Sequence, residues 1–230
     1  VVLHLADSQE GAKSRNSMHN RLKSDAFFPF VGRPNTIDIT NYTQFLRADG
    51  SASSPLIVEG ANLFVTEAAR KALYDDAGVV IVKDSSANKG GVITSSYEIC
   101  AAMLLTEDEF VCHKEEIVQE VLEKLRERAR LEADLLLRES ENHGGSLPEV
   151  SQVISNCINA TTDALAVAVD NMQDRDKDTL MSLFRSHLPQ TISDIAFNRV
   201  VDRVPKQYIT NAVSSALAAK LVYKEGTNFA

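Results

Sequence analysis

The sequence predicts an α/β chain: half of a doubly wound parallel sheet, followed by a mostly helical carboxyl-terminal region. Three observations predict it. Short apolar runs alternate with helical patterns between residues 25 and 83. Seven of the ten glycines fall in the first hundred residues, where turns between strands need them. Those hundred residues are near neutral, with 10 basic and 11 acidic side chains, whereas the remaining 130 carry 14 and 21. Residues 1–100 therefore read as the sheet-bearing domain and 101–230 as helices with acidic solvent faces.

The elements follow in order. Ala26–Phe28 ending at Pro29, Leu56–Val58 ending at Glu59-Gly60, and Val79–Val82 ending at Lys83-Asp84 read as buried parallel strands. A helical pattern covers Ile37–Leu46. A second has better boundaries: Thr66 as N-cap, Glu67 in the first turn and Gly78 just past the end. Strand–helix–strand–helix–strand at this spacing makes two right-handed crossovers. Further on, Lys114–Glu141 places Val118, Leu122 and Leu125 on one face, and its many charges read as a solvated face. His143-Gly144-Gly145 breaks the chain. After Pro148, Val150, Val153, Ile154, Cys157, Ile158, Thr161, Leu165 and Ala168 form an apolar stripe, with Cys157 as a small core residue. Pro189 and Pro205 read as first-turn residues of two more helices, the last presenting Ile209, Ala212, Val213, Ala216 and Leu217.

Composition bounds the function. With 44% hydrophobic and 24% charged residues among 230, the chain has ordinary globular composition and enough length for a sizeable core. The longest apolar run, Ile99–Leu105, is far short of the roughly 18 residues a membrane span needs. No signal peptide is read at the start, where Asp7 and Glu10 follow Val1–Leu5 at once. A net charge of −8 argues against nucleic acid as partner. Cys100, Cys112 and Cys157 have no metal-ligand spacing and read as reduced thiols, hence an intracellular chain, cytoplasmic or mitochondrial. The histidines suggest no metal site, and His19 reads as structural or solvent-facing. The first residue is Val, which reads as a fragment.

Ligands of parallel sheets bind beyond the carboxyl ends of the strands. The segments there are Pro29–Pro34, Glu59–Asn62 and Asp84–Ser96, expected to converge on one rim. Gly90-Gly91 reads as a turn that lets backbone approach a ligand and adopt positive φ. Ser95-x-x-Glu98 fits a capping box opening a helix over 98–105, so Ser95 reads as a cap, a holder of a ligand carboxylate at a helix N-terminus, or both. Asn62 reads as a left-handed turn residue or as an amide able to pair with another primary amide. Lys89, between Asn and Gly, reads as an exposed amine rather than a catalytic one.

Three motifs then stand in order: Ile57-Val58-Glu59-Gly60-Ala61-Asn62-Leu63-Phe64-Val65-Thr66, Ala77-Gly78-Val79 to Lys83-Asp84, and Ser86-Ala87-Asn88-Lys89-Gly90-Gly91-Val92. Together they resemble glutamate dehydrogenases, and most closely the large NAD-specific class. Arg15-Asn16 with His19, Gly32-Arg33-Pro34, Val204-Pro205-x-x-Tyr208 and Leu221-Val222-Tyr223 extend the likeness over essentially the whole chain. The resemblance implies a Rossmann-type cofactor domain and oxidative deamination of L-glutamate to 2-oxoglutarate and ammonia, with NAD accepting hydride. It implies that Asn62 and Asn88, with Gly60 and Ala61, bind the nicotinamide end of the cofactor. Val92 would pack on the substrate's methylenes, Ser95 would bond its distal carboxylate, and Gly90 and Gly91 would line the same substrate site. Phe30-Val31-Gly32 departs from the class, which shows a smaller residue and a Gly-Gly pair there. No G-x-G-x-x-G is present. The resemblance places the diphosphate turn and the catalytic lysine and aspartate upstream, leaving no catalytic residue here and making this chain the carboxyl-terminal portion of a homo-oligomeric enzyme. Two alternatives are a non-catalytic cofactor-binding or assembly module of the same fold, and a leucine- or phenylalanine-type dehydrogenase.

Overall fold

The computed structural model describes residues 9–30, 33–173 and 176–228, leaving out the side chains at 12, 13, 15 and 16. The expectations for Arg15-Asn16 and for Val31-Gly32 lie outside the described residues. The chain divides into two compact units, one running to Lys89 and including Ser140–Ser151, the other comprising Gly90–Glu139 and the residues from Gln152 onward.

The first unit contains helices α1 (Gln9–Asn16) and α2 (Met18–Arg21), strand β1 (Leu56–Val58), helix α3 (Glu67–Ala77), strand β2 (Val80–Val82) and the short helix α4 (Asp84–Ala87). β1 and β2 pair in parallel, Leu56 opposite Val80, Ile57 opposite Ile81 and Val58 opposite Val82. Their crossover, α3, has the boundaries its sequence dictates. Thr66 Oγ1 accepts the Ala69 N–H, and Gly78, at φ 62°, donates to the carbonyls of Leu73 and Tyr74. Ile57, Ile81, Val65, Ala69, Leu73, Phe45 and Phe64 form the core between sheet and helix.

Two expectations fail here. Ala26–Phe28 is not a strand: only Phe27 bridges to Ile57, donating to the Leu56 carbonyl and accepting from Val58. Pro29 follows at once and has no N–H to continue the ladder. Ile37–Leu46 is not an α-helix either. Asp38 Oδ1 takes the N–H and hydroxyl of Thr40 at 2.7 and 2.5 Å, and Asn41 Oδ1 takes the Asp38 N–H at 2.9 Å. The Thr40 N–H that such a helix would direct to the Thr36 carbonyl is thus claimed by a side chain, that carbonyl accepts Asn41 Nδ2 at 3.0 Å instead, and only a 3₁₀ turn, Tyr42–Phe45, remains. The sheet among the described residues is two-stranded and parallel, with one helical crossover, which is consistent with part of a Rossmann-type domain but does not amount to half of a doubly wound sheet.

The second unit is helical. α5 (Gly90–Leu104), α6 (Glu107–Cys112), α7 (Lys114–His143), α8 (Leu147–Asp170), α9 (Lys177–His187), α10 (Gln190–Ala196), α11 (Val200–Arg203) and α12 (Lys206–Glu225) follow in sequence, α7 and α8 beginning or ending in the first unit. Pro189 and Pro205 stand at the N-caps of α10 and α12, one residue before the first turn. In the first half of α7 the buried residues are Ile117 and Val121, so the apolar face is turned by one residue and Val118 is exposed; Glu132, Leu135, Leu136 and Glu139 are buried in its second half. On α8 the stripe narrows, with Val153 and Ala168 exposed and Val150, Ile154 and Cys157 buried. A capping box does occur, at Thr106 and Glu109 of α6, and Arg199 grips Glu109 through both carboxylate oxygens at 2.7 and 2.6 Å. His187 lies 5.4 Å from the Tyr97 ring, its Nδ1 buried without a partner among the described residues. Burial, with the charges of Arg128 and Lys124, lowers its pKa to about 4.

Candidate functional site

In the first unit the turn after β1 is built around a buried carboxylate. Glu59 is fully buried, and a buried charge requires partners. Its Oε1 accepts the Val65 N–H at 2.8 Å, and its Oε2 receives Arg70 Nε at 2.8 Å and Nη2 at 2.7 Å. The same Nη2 reaches Asp84 Oδ1 at 3.2 Å, while Asp84 Oδ2 accepts the Leu63 N–H at 2.8 Å. Burial pushes the Glu59 carboxyl above the usual range, opposed by the Val65 N–H and the Arg70 charge. Asp84 beside it adds to the rise.

This network fixes an unusual backbone. Leu63, at φ 54°, is the left-handed residue of the turn, so the role expected of Asn62 falls one residue later. Asn62 instead directs its amide across the rim. Asn88 Nδ2 donates to Asn62 Oδ1 at 2.6 Å. That bond leaves the pair an amide donor on Asn62 and a carbonyl acceptor on Asn88, the complement of a primary carboxamide. Asn88 is itself held by its N–H on the Asp84 carbonyl at 2.8 Å. The segment after Phe27 joins the same rim, where the Ala61 N–H donates to the Pro29 carbonyl at 2.6 Å. The Phe30 ring lies over Gly60 so closely that any Cβ at 60 would collide with it. His19 packs behind, its ring centroid 5.5 Å from Phe27 and 5.9 Å from Phe64, and burial lowers its pKa.

Gly90, Gly91, Val92 and Ser95 belong to the second unit and form the first turns of α5. Neither glycine has positive φ, and a Cβ at either would meet nothing within 4 Å. The turn expected of Gly90-Gly91 is therefore a helix start. Ser95 is not a cap: α5 begins five residues before it, and its Oγ donates to the Val92 carbonyl at 3.0 Å. The helix starts early because Ile93, Tyr97, Cys100, Ala101 and Leu104 form a stripe packed into the core, which extends helix through the glycines. Val92 is 76% exposed and Ser95 is partly buried.

The parts missing from the sequence reading are Arg70 and the roles of Glu59 and Asp84. The available signal was a carboxylate flush with the end of an apolar strand, which must be paired if buried. Among the described residues no group of His, Cys, Asp and Glu could hold a metal ion, and no helix is long and apolar enough to cross a membrane.

The family model described as glutamate/leucine/phenylalanine/valine dehydrogenase matches residues 3–145, more than half the chain and all of both segments above. The chain belongs to that dehydrogenase family. Glutamate dehydrogenase 2 of Dictyostelium discoideum is 33% identical over 234 residues, covering 96% of this chain and 22% of its own length. The NAD-specific glutamate dehydrogenases of Neurospora crassa and Saccharomyces cerevisiae are 34% and 32% identical, over 95% and 94% of this chain. The chain thus spans about a fifth of the length of these relatives. No solved structure matches it significantly. The Glu59–Asn62 turn, Arg70, Asp84 and Asn88 all lie inside the region that matches the dehydrogenase family.

Proposed function

We propose that this chain supplies the nicotinamide side of an NAD-dependent glutamate dehydrogenase, which oxidatively deaminates L-glutamate to 2-oxoglutarate and ammonia. The observation that carries the reading is the Asn62–Asn88 bond at the carboxyl ends of two parallel strands, with a donor and an acceptor left over. NAD is the cofactor named for the relatives, and its chemistry is to accept hydride at the nicotinamide ring. Asn62 and Asn88 grip the carboxamide and stop the ring rotating, above the turn formed by Gly60 and Ala61. A fixed ring face is what aligned hydride transfer requires.

On the substrate side, Gly90 and Gly91 leave the start of α5 uncluttered, and Val92 offers an exposed isopropyl group to the substrate's methylenes. Ser95 Oγ turns from the Val92 carbonyl to donate to the distal carboxylate. The catalytic lysine and aspartate are assigned to residues outside these 230. The family description includes leucine, phenylalanine and valine as substrates, and the Ser95 hydroxyl together with the relatives' names favours glutamate.

Two experiments test this reading. The purified 230-residue chain, assayed by NADH absorbance with glutamate and NAD, is expected to show no turnover. Turnover at ordinary enzyme rates would overturn the assignment of the catalytic groups elsewhere. In the full-length enzyme, Ser95→Ala is expected to lower kcat/KM for glutamate about ten- to hundredfold, the loss of a hydrogen bond to a charged group. Norvaline, which lacks the distal carboxylate, should be hardly affected. An unchanged glutamate-to-norvaline preference would remove Ser95 from the substrate site.

A further inference from the structure

Two segments carry the amide pair, and one side chain ties them together. Glu59 leads into the turn bearing Asn62, and Asp84 opens α4, whose C-cap is Asn88. Each carboxylate holds backbone on its own account: Glu59 takes the Val65 N–H and Asp84 the Leu63 N–H, so the turn is fixed just beyond Asn62. The Asp84 carbonyl in addition takes the Asn88 N–H. Arg70, from the first turns of α3, then spans the two carboxylates with Nε and Nη2. All three side chains are at least 85% buried, the exposures being 0% for Glu59, 11% for Arg70 and 15% for Asp84.

We infer that Arg70 is a positioning residue for the Asn62–Asn88 pair, setting the separation of the two asparagines and thereby the affinity for a primary carboxamide. The inference rests on the cofactor reading above and deepens it. A planar guanidinium presents several donors in a fixed fork, so binding both carboxylates at once also fixes the distance between them. A lysine ammonium is a point charge on a flexible stem and can neutralise the carboxylates without fixing that distance. The asparagines themselves touch at 2.6 Å, close enough that a small shift of either segment breaks their bond. Shifting one amide removes the complementary donor–acceptor face and leaves the electrostatics of the rest of a dinucleotide site unchanged.

The test uses the full-length enzyme and compares the dissociation constants of NAD and of ADP-ribose, which lacks the nicotinamide. R70K is expected to weaken NAD about tenfold, as misaligned hydrogen bonds do, and to leave ADP-ribose unchanged. R70A is expected to weaken NAD further, and ethylguanidinium added to it should restore NAD affinity. D84N, which keeps the Glu59–Arg70 pair, should shift the same ratio by a smaller factor. Equal weakening of both ligands in R70K and D84N would mean that Arg70 only stabilises the fold, and would overturn the inference. An unchanged ratio in both variants would overturn it as well. N62A separates the positioning role of Arg70 from carboxamide binding by the amide pair. If N62A lowers the NAD preference and the Arg70 variants do not, the positioning role alone falls. If N62A leaves the preference unchanged, the amide pair does not read the carboxamide, and the inference falls with that reading.

Discussion

The turn after β1, in the first unit, and the start of α5, in the second, are built in opposite ways. Just beyond Asn62, two carboxylates bridged by a buried guanidinium hold the Leu63 and Val65 N–H groups at fixed places. Around Ser95 the hydroxyls of Thr94, Ser95 and Ser96 donate to carbonyls of their own helix, and Val92 is open to solvent. The first region is preorganised and expensive to disturb. The second is a regular helix whose polar groups can be re-aimed at small cost. The difference suits a cofactor grip that stays formed and a substrate contact made only when substrate arrives.

The comparison breaks first at Glu59. Removing its carboxylate leaves the Arg70 guanidinium buried with Asp84 alone and the Val65 N–H without an acceptor. Glu59→Ala should destabilise the first unit by about 3–5 kcal/mol, the cost of breaking a buried pair on one side. Urea unfolding of the chain measures it. A loss under about 1 kcal/mol, typical of exposed pairs, would show that the network is solvated.

A comparable effect lies in the second unit, with pH as the lever. His187 accepts a proton at about 4 in the fold, against 6.5 for an ordinary imidazole. Its folded value is depressed, so the stability it confers is whole above 6.5 and is lost as pH falls towards 4. A shift of this size corresponds to about 3 kcal/mol. The Glu109 carboxyl, held near 2 chiefly by its hydrogen bond with Arg199, adds a further loss between 4.5 and 2. Melting temperatures between pH 7 and 4 should fall steeply for the parent chain and less for His187→Leu. Parallel curves for the two proteins would contradict the assignment.

Glycine substitutions sharpen the contrast on a smaller scale. Gly60→Ala must push the Phe30 ring aside, costing about 1 kcal/mol even though that ring is largely exposed. Gly90→Ala and Gly91→Ala meet no atoms and sit in helix, so each should stabilise by about 0.5–1 kcal/mol. Chemical unfolding of the three variants should give opposite signs at 60 and at 90–91.

The smallest effect is expected at Ser95. A capping serine would cost about 0.5–2 kcal/mol on replacement by alanine. Ser95 is inside α5 and bonds backward to Val92, so Ser95→Ala should change stability by less than about 0.5 kcal/mol. A melting curve on the variant checks this independently of the substrate preference.

What was readable in the sequence was what depends on neighbours along the chain. Thr66 and Gly78 bound α3 because capping is local, and Lys114 begins α7 as read. The apolar triplets Leu56–Val58 and Val80–Val82 pair in parallel because a helix of the right length joins them. Where the reading failed, two local signals competed, or the deciding partner was distant in sequence. Asp38 and Asn41 carry turn-forming side chains inside an apparently helical pattern. Ser95-x-x-Glu98 has the capping spacing, but a core stripe beginning at Ile93 started the helix earlier, while Thr106-x-x-Glu109 has the same spacing and does cap. Asn62 and Asn88 stood out by residue type, whereas Arg70 did not, because nothing in a solvated helical pattern marks which arginine turns inward.

In the proposed function Asn62 and Asn88 act as one carboxamide-reading unit. A double-mutant cycle in the full-length enzyme tests it most directly, titrating NAD and ADP-ribose into Asn62→Ala, Asn88→Ala and the double variant. Each single change is expected to weaken NAD about tenfold, the double change little more than either, and ADP-ribose not at all. Losses that add, or that appear equally for ADP-ribose, would contradict it.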